Sequence, residues 1–147
     1  MLSDSRLEEL KLRSNAISCV EYAHRTGGGL PKMRQLDLEM NALTAFPPFQ
    51  LMPSLTTVSL SYNRINATLP ASIGDLSSLT EFQASNNLIP GPIPNISALN
   101  QLKILQLSNN LLSSFPSEVI SRLEWLDLSN NLLTGSMPYI DTSKVAL

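Results

Sequence analysis

Apolar residues and one asparagine recur through the chain in a fixed frame, L-x-x-L-x-L-x-x-N-x-L. It reads Leu7, Leu10, Leu12, Asn15, Ile17, then Met33, Leu36, Leu38, Asn41, Leu43, then Leu55, Val58, Leu60, Asn63, Ile65. It returns as Leu79, Phe82, Ala84, Asn87, Ile89, as Leu102, Leu105, Leu107, Asn110, Leu112, and as Leu123, Leu126, Leu128, Asn131, Leu133. The asparagines step by 26, 22, 24, 23 and 21 residues. A repeat of this length means a solenoid, in which each coil buries its apolar face on the next. Six repeats, starting near Leu7, Met33, Leu55, Leu79, Leu102 and Leu123, make a single domain over residues 1–147.

Inside each frame the L-x-L pair alternates with period two, the signature of a short strand with one buried face. The asparagine that follows has a mechanical role. Where the backbone leaves the strand, its N–H and C=O groups lose their ladder partners. A buried carboxamide is both donor and acceptor, and is expected to serve those groups and the turn of the next coil. Asn15, Asn41, Asn63, Asn87, Asn110 and Asn131 would then form a structural ladder.

The second half of the unit comes in two lengths. After Asn63, Asn87 and Asn131 a hydrophobe and a proline arrive as Leu69-Pro70, Ile93-Pro94 and Met137-Pro138, with Gly91 and Gly135 ahead of the last two. After Asn41 and Asn110 the pair comes one residue sooner, as Phe46-Pro47 and Phe115-Pro116. Proline ends regular pairing and fixes a turn. The short segments that follow predict irregular or single 3₁₀ turns. The longer stretch from Ser18 to Pro31 leaves room for one helical turn packed through Cys19, Val20 and Tyr22 before Gly27-Gly28-Gly29.

Composition agrees with this plan. Hydrophobic residues make up 43% of the chain but aromatic ones only 5%, so leucine fills a slot of the same shape in every coil. A net charge of −2 supplies no basic field for nucleic acid. No apolar run reaches the ~20 residues of a membrane span. The opening residues put acids where a signal peptide needs an apolar stretch. The lone cysteine, Cys19, can form no disulfide within the chain.

Catalytic chemistry finds little to work with. His24 and Cys19 lie near each other in sequence, but no motif supplies a third group to orient the imidazole, and Cys19 occupies an apolar filler position. Gly27-Gly28-Gly29 lacks the Lys-Ser/Thr of a phosphate loop. The acids show no metal-ligand spacing. The expectation is no enzyme, no metal and no cofactor. Two N-glycosylation sequons stand on outer segments, Asn66-Ala-Thr68 and Asn95-Ile-Ser97.

From Leu7 to Pro138 these frames resemble the leucine-rich repeat family. The stretch from Leu123 to Pro138 is similar to its plant-type subclass, L-x-x-L-x-L-x-x-N-x-L-x-G-x-I-P, while the Phe-Pro units look like the shorter typical subclass. The resemblance implies an α/β-type repeat solenoid: an arc with a parallel β-sheet on its concave face and irregular or 3₁₀ turns on its convex face. It further implies the ectodomain of a receptor-like protein or kinase. Such ectodomains carry cysteine-paired caps that this sequence does not show, so a fragment of a longer protein is the expectation.

Residues between the strand leucines should line the concave side. Trp125 and Ile104, with Glu81, Gln83, Gln106 and Asp127 around them and Tyr62 at a strand's end, form the candidate ligand surface, an apolar anchor in a polar rim. The columns of serine that follow each strand would leave smooth access to it. Its acids favour a ligand with basic character. The expected function is non-catalytic recognition of a protein, peptide or glycan on this face, at the extracellular side of a plasma membrane to which a larger parent protein is anchored. The alternatives are a cytoplasmic scaffold or adaptor, and a secreted inhibitor of a glycan-degrading enzyme.

Overall fold

The computed structural model describes residues 6–21 and 29–136. Eight strands follow in order: Glu9–Lys11 (β1), Gln35–Asp37 (β2), Thr57–Ser59 (β3), Glu81–Gln83 (β4), Pro90–Pro92 (β5), Ile104–Gln106 (β6), Leu111–Ser114 (β7) and Trp125–Asp127 (β8). Six of them form one parallel sheet, β1-β2-β3-β4-β6-β8. The register never slips: Leu10, Leu36, Val58, Phe82, Leu105 and Leu126 make one continuous row. This is the parallel-strand repeat solenoid that the frame predicts.

The described residues contain no α-helix. Their outer returns use 3₁₀ helices at Phe49–Leu51, Ala71–Asp75 and Ser117–Arg122. Each begins directly after a proline, Pro48, Pro70 or Pro116, whose φ lies between −71° and −74°. The ring imposes that angle at no cost, and the first turn of a helix needs no amide from the residue that precedes it.

Leucine fills the middle coils as expected, with Leu36, Leu38, Leu43, Leu55, Leu60, Leu79, Leu105, Leu107 and Leu112 all buried. The fourth coil departs from leucine twice, with Phe82 and Ala84 both fully buried. The larger ring compensates for the smaller methyl and reaches across to Phe49 on an outer return. At the sheet's edges burial falls. Leu7 and Leu12, frame leucines expected inside, are exposed, because β1 has a neighbour on one side only.

The asparagines form a hydrogen-bonded series, and it runs backwards rather than toward the next coil. Asn63 Oδ1 accepts from Leu43 N at 2.9 Å, and its Nδ2 donates to Leu38 O and Leu60 O at 3.0 Å each. Asn87 does the same to Ile65 N, Leu60 O and Ala84 O, and Asn110 to Ile89 N, Ala84 O and Leu107 O. Asn41 and Asn131 repeat the arrangement toward Ile17 and Leu112. Each carboxamide thus completes the coil before its own. The inward turn of a coil lies beside the preceding one, which is why the reach has this direction. Asn15 is exposed, and among the described residues it donates within its own turn, to Leu12 O and Arg13 O.

Two outer features differ from expectation. β5 and β7 pair as a second, two-stranded parallel sheet in a region rich in proline. Pro90 and Pro92 have no amide to give, so other groups carry the pairing: Leu111 N donates to Ile89 O at 2.9 Å, and Ile93 N to Ser114 O at 3.1 Å. Gly91 sits between the prolines at φ +79°, a backbone angle that a side chain would strain. The anticipated helical turn near Cys19 is absent from residues 16–21. Cys19 is exposed rather than an apolar filler, with its Sγ 3.7 Å from Glu21 Oε1, whereas Val20 packs on the core. Tyr22, His24, Gly27, Gly28 and the Met137-Pro138 pair lie outside the described residues.

Candidate ligand-binding face

Strand alternation leaves one face of the sheet open. Outward positions fall into two rows, Glu9-Gln35-Thr57-Glu81-Ile104-Trp125 and Lys11-Asp37-Ser59-Gln83-Gln106-Asp127, each in register across all six strands. Their inward neighbours on β2, β3, β4 and β6 are buried, whereas the outward side chains there are half-buried. The strand geometry therefore brings Trp125, Ile104, Glu81, Gln83, Gln106 and Asp127 onto a single surface.

Trp125 is 59% exposed at the sheet's last strand, with half-buried Ile104 as its register partner. β8, like β1, has a neighbour on one side only, and the indole stands outward on this edge strand. Polar groups around it are ordered by one another. Gln83 Nε2 donates to Glu81 Oε1. Asp127 Oδ1 accepts from Ser129 Oγ at 2.7 Å and Ser129 N at 3.0 Å. These bonds favour the charged carboxylate and hold Asp127 below the ordinary carboxylate range, against a smaller opposing effect of burial.

The serine column after the strands is uneven: Ser129 is exposed and Ser85 half-buried, but the other two give no access. Ser61 and Ser108 are buried, Ser61 Oγ accepts from Ser85 N, and Ser108 Oγ donates to Ser85 Oγ at 3.0 Å. The chain is already turning inward there, and the hydroxyls are absorbed by their neighbours. One residue further, every coil adopts a left-handed backbone: Ser14, Met40, Tyr62, Asn86, Asn109 and Asn130 all have φ between 53° and 59°. Asparagine tolerates that conformation; methionine and tyrosine do so at a cost. Both are nonetheless exposed, Met40 at 41% and Tyr62 at 51%.

With this geometry established, comparison with known proteins is direct. The Leucine Rich Repeat family matches residues 54–76, 101–123 and 122–140. The ectodomain of the plant membrane receptor kinase GASSHO1/SCHENGEN3 of Arabidopsis thaliana superposes with a TM-score of 0.79 at 35% identity, over 90% of this chain and 16% of that one. The chain belongs to the leucine-rich repeat family. Bovine osteomodulin is 31% identical to this leucine-rich repeat chain over 128 residues, covering 85% of it and 30% of osteomodulin. The plant peptide hormone receptor RGFR1 superposes with a TM-score of 0.72 at 29% identity, over 86% of this chain and 21% of that one. The chain therefore spans less than a third of each of these three proteins.

One feature of these leucine-rich repeats escapes a reading of the frame. Leu88, Leu111 and Leu132, each directly after a ladder asparagine, are exposed in three successive coils and form an apolar stripe beside the sheet. They occupy the variable position of N-x-L, where the frame assigns no role. The left-handed residue before each asparagine redirects the chain and turns them outward. The sequon residues Asn66 and Asn95 are also exposed, as are Thr68 and Ser97. Asn95 Oδ1 accepts from Ser97 N at 2.9 Å. Among the described residues no group of three or more His, Cys, Asp or Glu is placed to hold a metal ion.

Proposed function

We propose that this chain is a non-catalytic recognition segment whose open sheet face binds a peptide or protein, with Trp125 and Ile104 as the anchor. The observation that carries the proposal is exposed Trp125 beside half-buried Ile104, with Gln106 and Asp127 next to them in the adjoining register row. Large side chains desolvated at the centre of a polar rim are what concentrates binding energy in protein interfaces. Six strands ~4.8 Å apart span about 25–29 Å, the width of an ordinary contact surface.

The solved relatives support this reading. The GASSHO1/SCHENGEN3 ectodomain is in complex with Casparian strip integrity factor 2, and RGFR1 is in complex with RGF2. By that analogy the chain is part of a receptor and works at the extracellular face of the plasma membrane. Exposure of Asn66 and Asn95 fits glycosylation there, and glycan occupancy of the native protein measures it by mass spectrometry.

The face itself is tested with displayed random peptides of about twelve residues, long enough when extended to cross all six strands. Peptides should be retained by the unaltered chain, and Trp125→Ala should weaken the retained peptides about tenfold or more. Its thermal unfolding midpoint should stay within error of the unaltered chain. A library that yields no binders, or a Trp125→Ala chain that unfolds, overturns the proposal.

A further inference from the structure

The side chains on the open face also specify what its ligand carries, an inference that rests on reading this face as a peptide site. From β2 to β8 the charged outward residues are Asp37, Glu81 and Asp127, all acidic. The face's two cations stand together on and just after β1, and each is already engaged by an acid of the protein. Lys11 Nζ lies 2.7 Å from Glu9, and Arg13 lies 2.7 Å from Glu39. The cations next to β2 and β6 are held likewise, Arg34 at 3.8 Å from Glu8 and Lys103 at 2.8 Å from Glu124.

The three acids differ from these. Each accepts from a neutral donor: Asp37 from Glu39 N, Glu81 from Gln83 Nε2, and Asp127 from Ser129. Such bonds orient a carboxylate without cancelling its charge. Asp37 and Asp127 share one register row, four strand steps apart, so ~19 Å separates them. Glu81 stands two steps from each, in the adjoining row.

An extended peptide laid across the strands advances ~3.3 Å per residue, so it presents a side chain to each carboxylate about every three residues. We infer that the occupant of this face is an extended peptide segment bearing lysine or arginine at about three-residue intervals, with an apolar side chain where it meets Trp125 and Ile104. Neutral hydrogen-bonding peptides would forfeit three orienting charges, and acidic ones would be repelled. At physiological ionic strength the screening length is ~8 Å, so contacts at ion-pair distance keep most of their attraction while distant charges do not contribute.

The displayed library decides the matter. Peptides retained at low salt should be richer in Lys and Arg, and poorer in Asp and Glu, than the unselected pool. A synthetic representative should lose about tenfold or more in affinity between low and high salt. It should lose as much on the triple variant Asp37→Asn, Glu81→Gln, Asp127→Asn, whose remaining affinity should no longer respond to salt. The variant's unfolding midpoint is recorded alongside, and the salt response of the unaltered chain is independent of how the variant folds. If neutral or acidic peptides are retained as readily, or if binding ignores both salt and the three substitutions, the charge inference falls while the peptide site stands. If nothing is retained, the site falls and this inference with it.

Discussion

The ring of Phe82 meets that of Phe49 edge to face, with centroids 6.2 Å apart and planes at 75°. Phe82 belongs to the fourth strand and Phe49 to the outer return between the second and third, so the contact ties the sheet to the convex side through the core. Replacing Phe82 with leucine should lose this contact and leave a void beside Ala84. We expect a cost of about 1–3 kcal/mol in urea unfolding. Adding Ala84→Leu should recover part of it, because the pair then carries the volume found in the other coils. No recovery would mean that the ring's shape matters more than the space it fills.

Asparagine removal should be graded by position. Asn87→Ala strands the Ile65 amide inside the fold, while Leu60 O and Ala84 O each keep one donor, from Asn63 and Asn110, and it should cost about 1–3 kcal/mol. Asn15→Ala removes bonds that are exposed and confined to one turn, so its cost should be under about 1 kcal/mol. Equal costs at the two sites, measured by denaturant unfolding, would contradict the role assigned to the backward bonds.

Left-handed backbone offers a third test. Tyr62→Asn should raise stability by about 1 kcal/mol, since asparagine accepts the φ of 56° that tyrosine resists. Asn109→Leu, at φ 54°, should lower stability by a similar amount. The repeat imposes this angle in every coil, and at Tyr62 it holds an exposed ring at the end of the third strand, on the rim of the candidate face. Tyr62→Asn should therefore weaken the selected peptides even as it raises the melting temperature, and unchanged peptide affinity would remove Tyr62 from the binding face.

Asp127 titrates below the ordinary carboxylate value because Ser129 donates to its charged form through both hydroxyl and amide. A carboxylate whose folded value is depressed contributes stability that is complete above its unfolded value, 3.8. That contribution is lost as pH falls through the depressed folded value. Carboxyl NMR titration should show Asp127 moving upward toward 3.8 in Ser129→Ala, and the variant should be less sensitive than the unaltered chain to acid in this range. A titration indifferent to Ser129 would refute the assignment.

The repeat, the strand register and the 3₁₀ returns were legible because each depends on a side-chain property visible in sequence: apolar spacing, the carboxamide, proline. What stayed hidden depends on backbone path. Six residues share one left-handed conformation, yet Ser14, Met40 and Tyr62 carry nothing in common that announces it. That same bend exposes Leu88, Leu111 and Leu132 and buries Ser61 and Ser108, reversing what polarity alone suggests. The β5–β7 pair was hidden for a related reason, since proline counts against a strand although its carbonyl can still accept. On the candidate face the rows of side chains could be read from alternation, but not which charges the protein had already paired. Arg13 with Glu39 and Lys11 with Glu9 emerge only in three dimensions.

The backward clasp of the asparagines gives the stack an order in time. A chain made from its N-terminus leaves its newest turn with an amide that only the following carboxamide can accept. A nascent chain that has emerged only as far as Ile89 would have closed the Ile65 amide but left that of Ile89 waiting for Asn110. Emergence from the ribosome would then advance as a ratchet, always one coil behind synthesis.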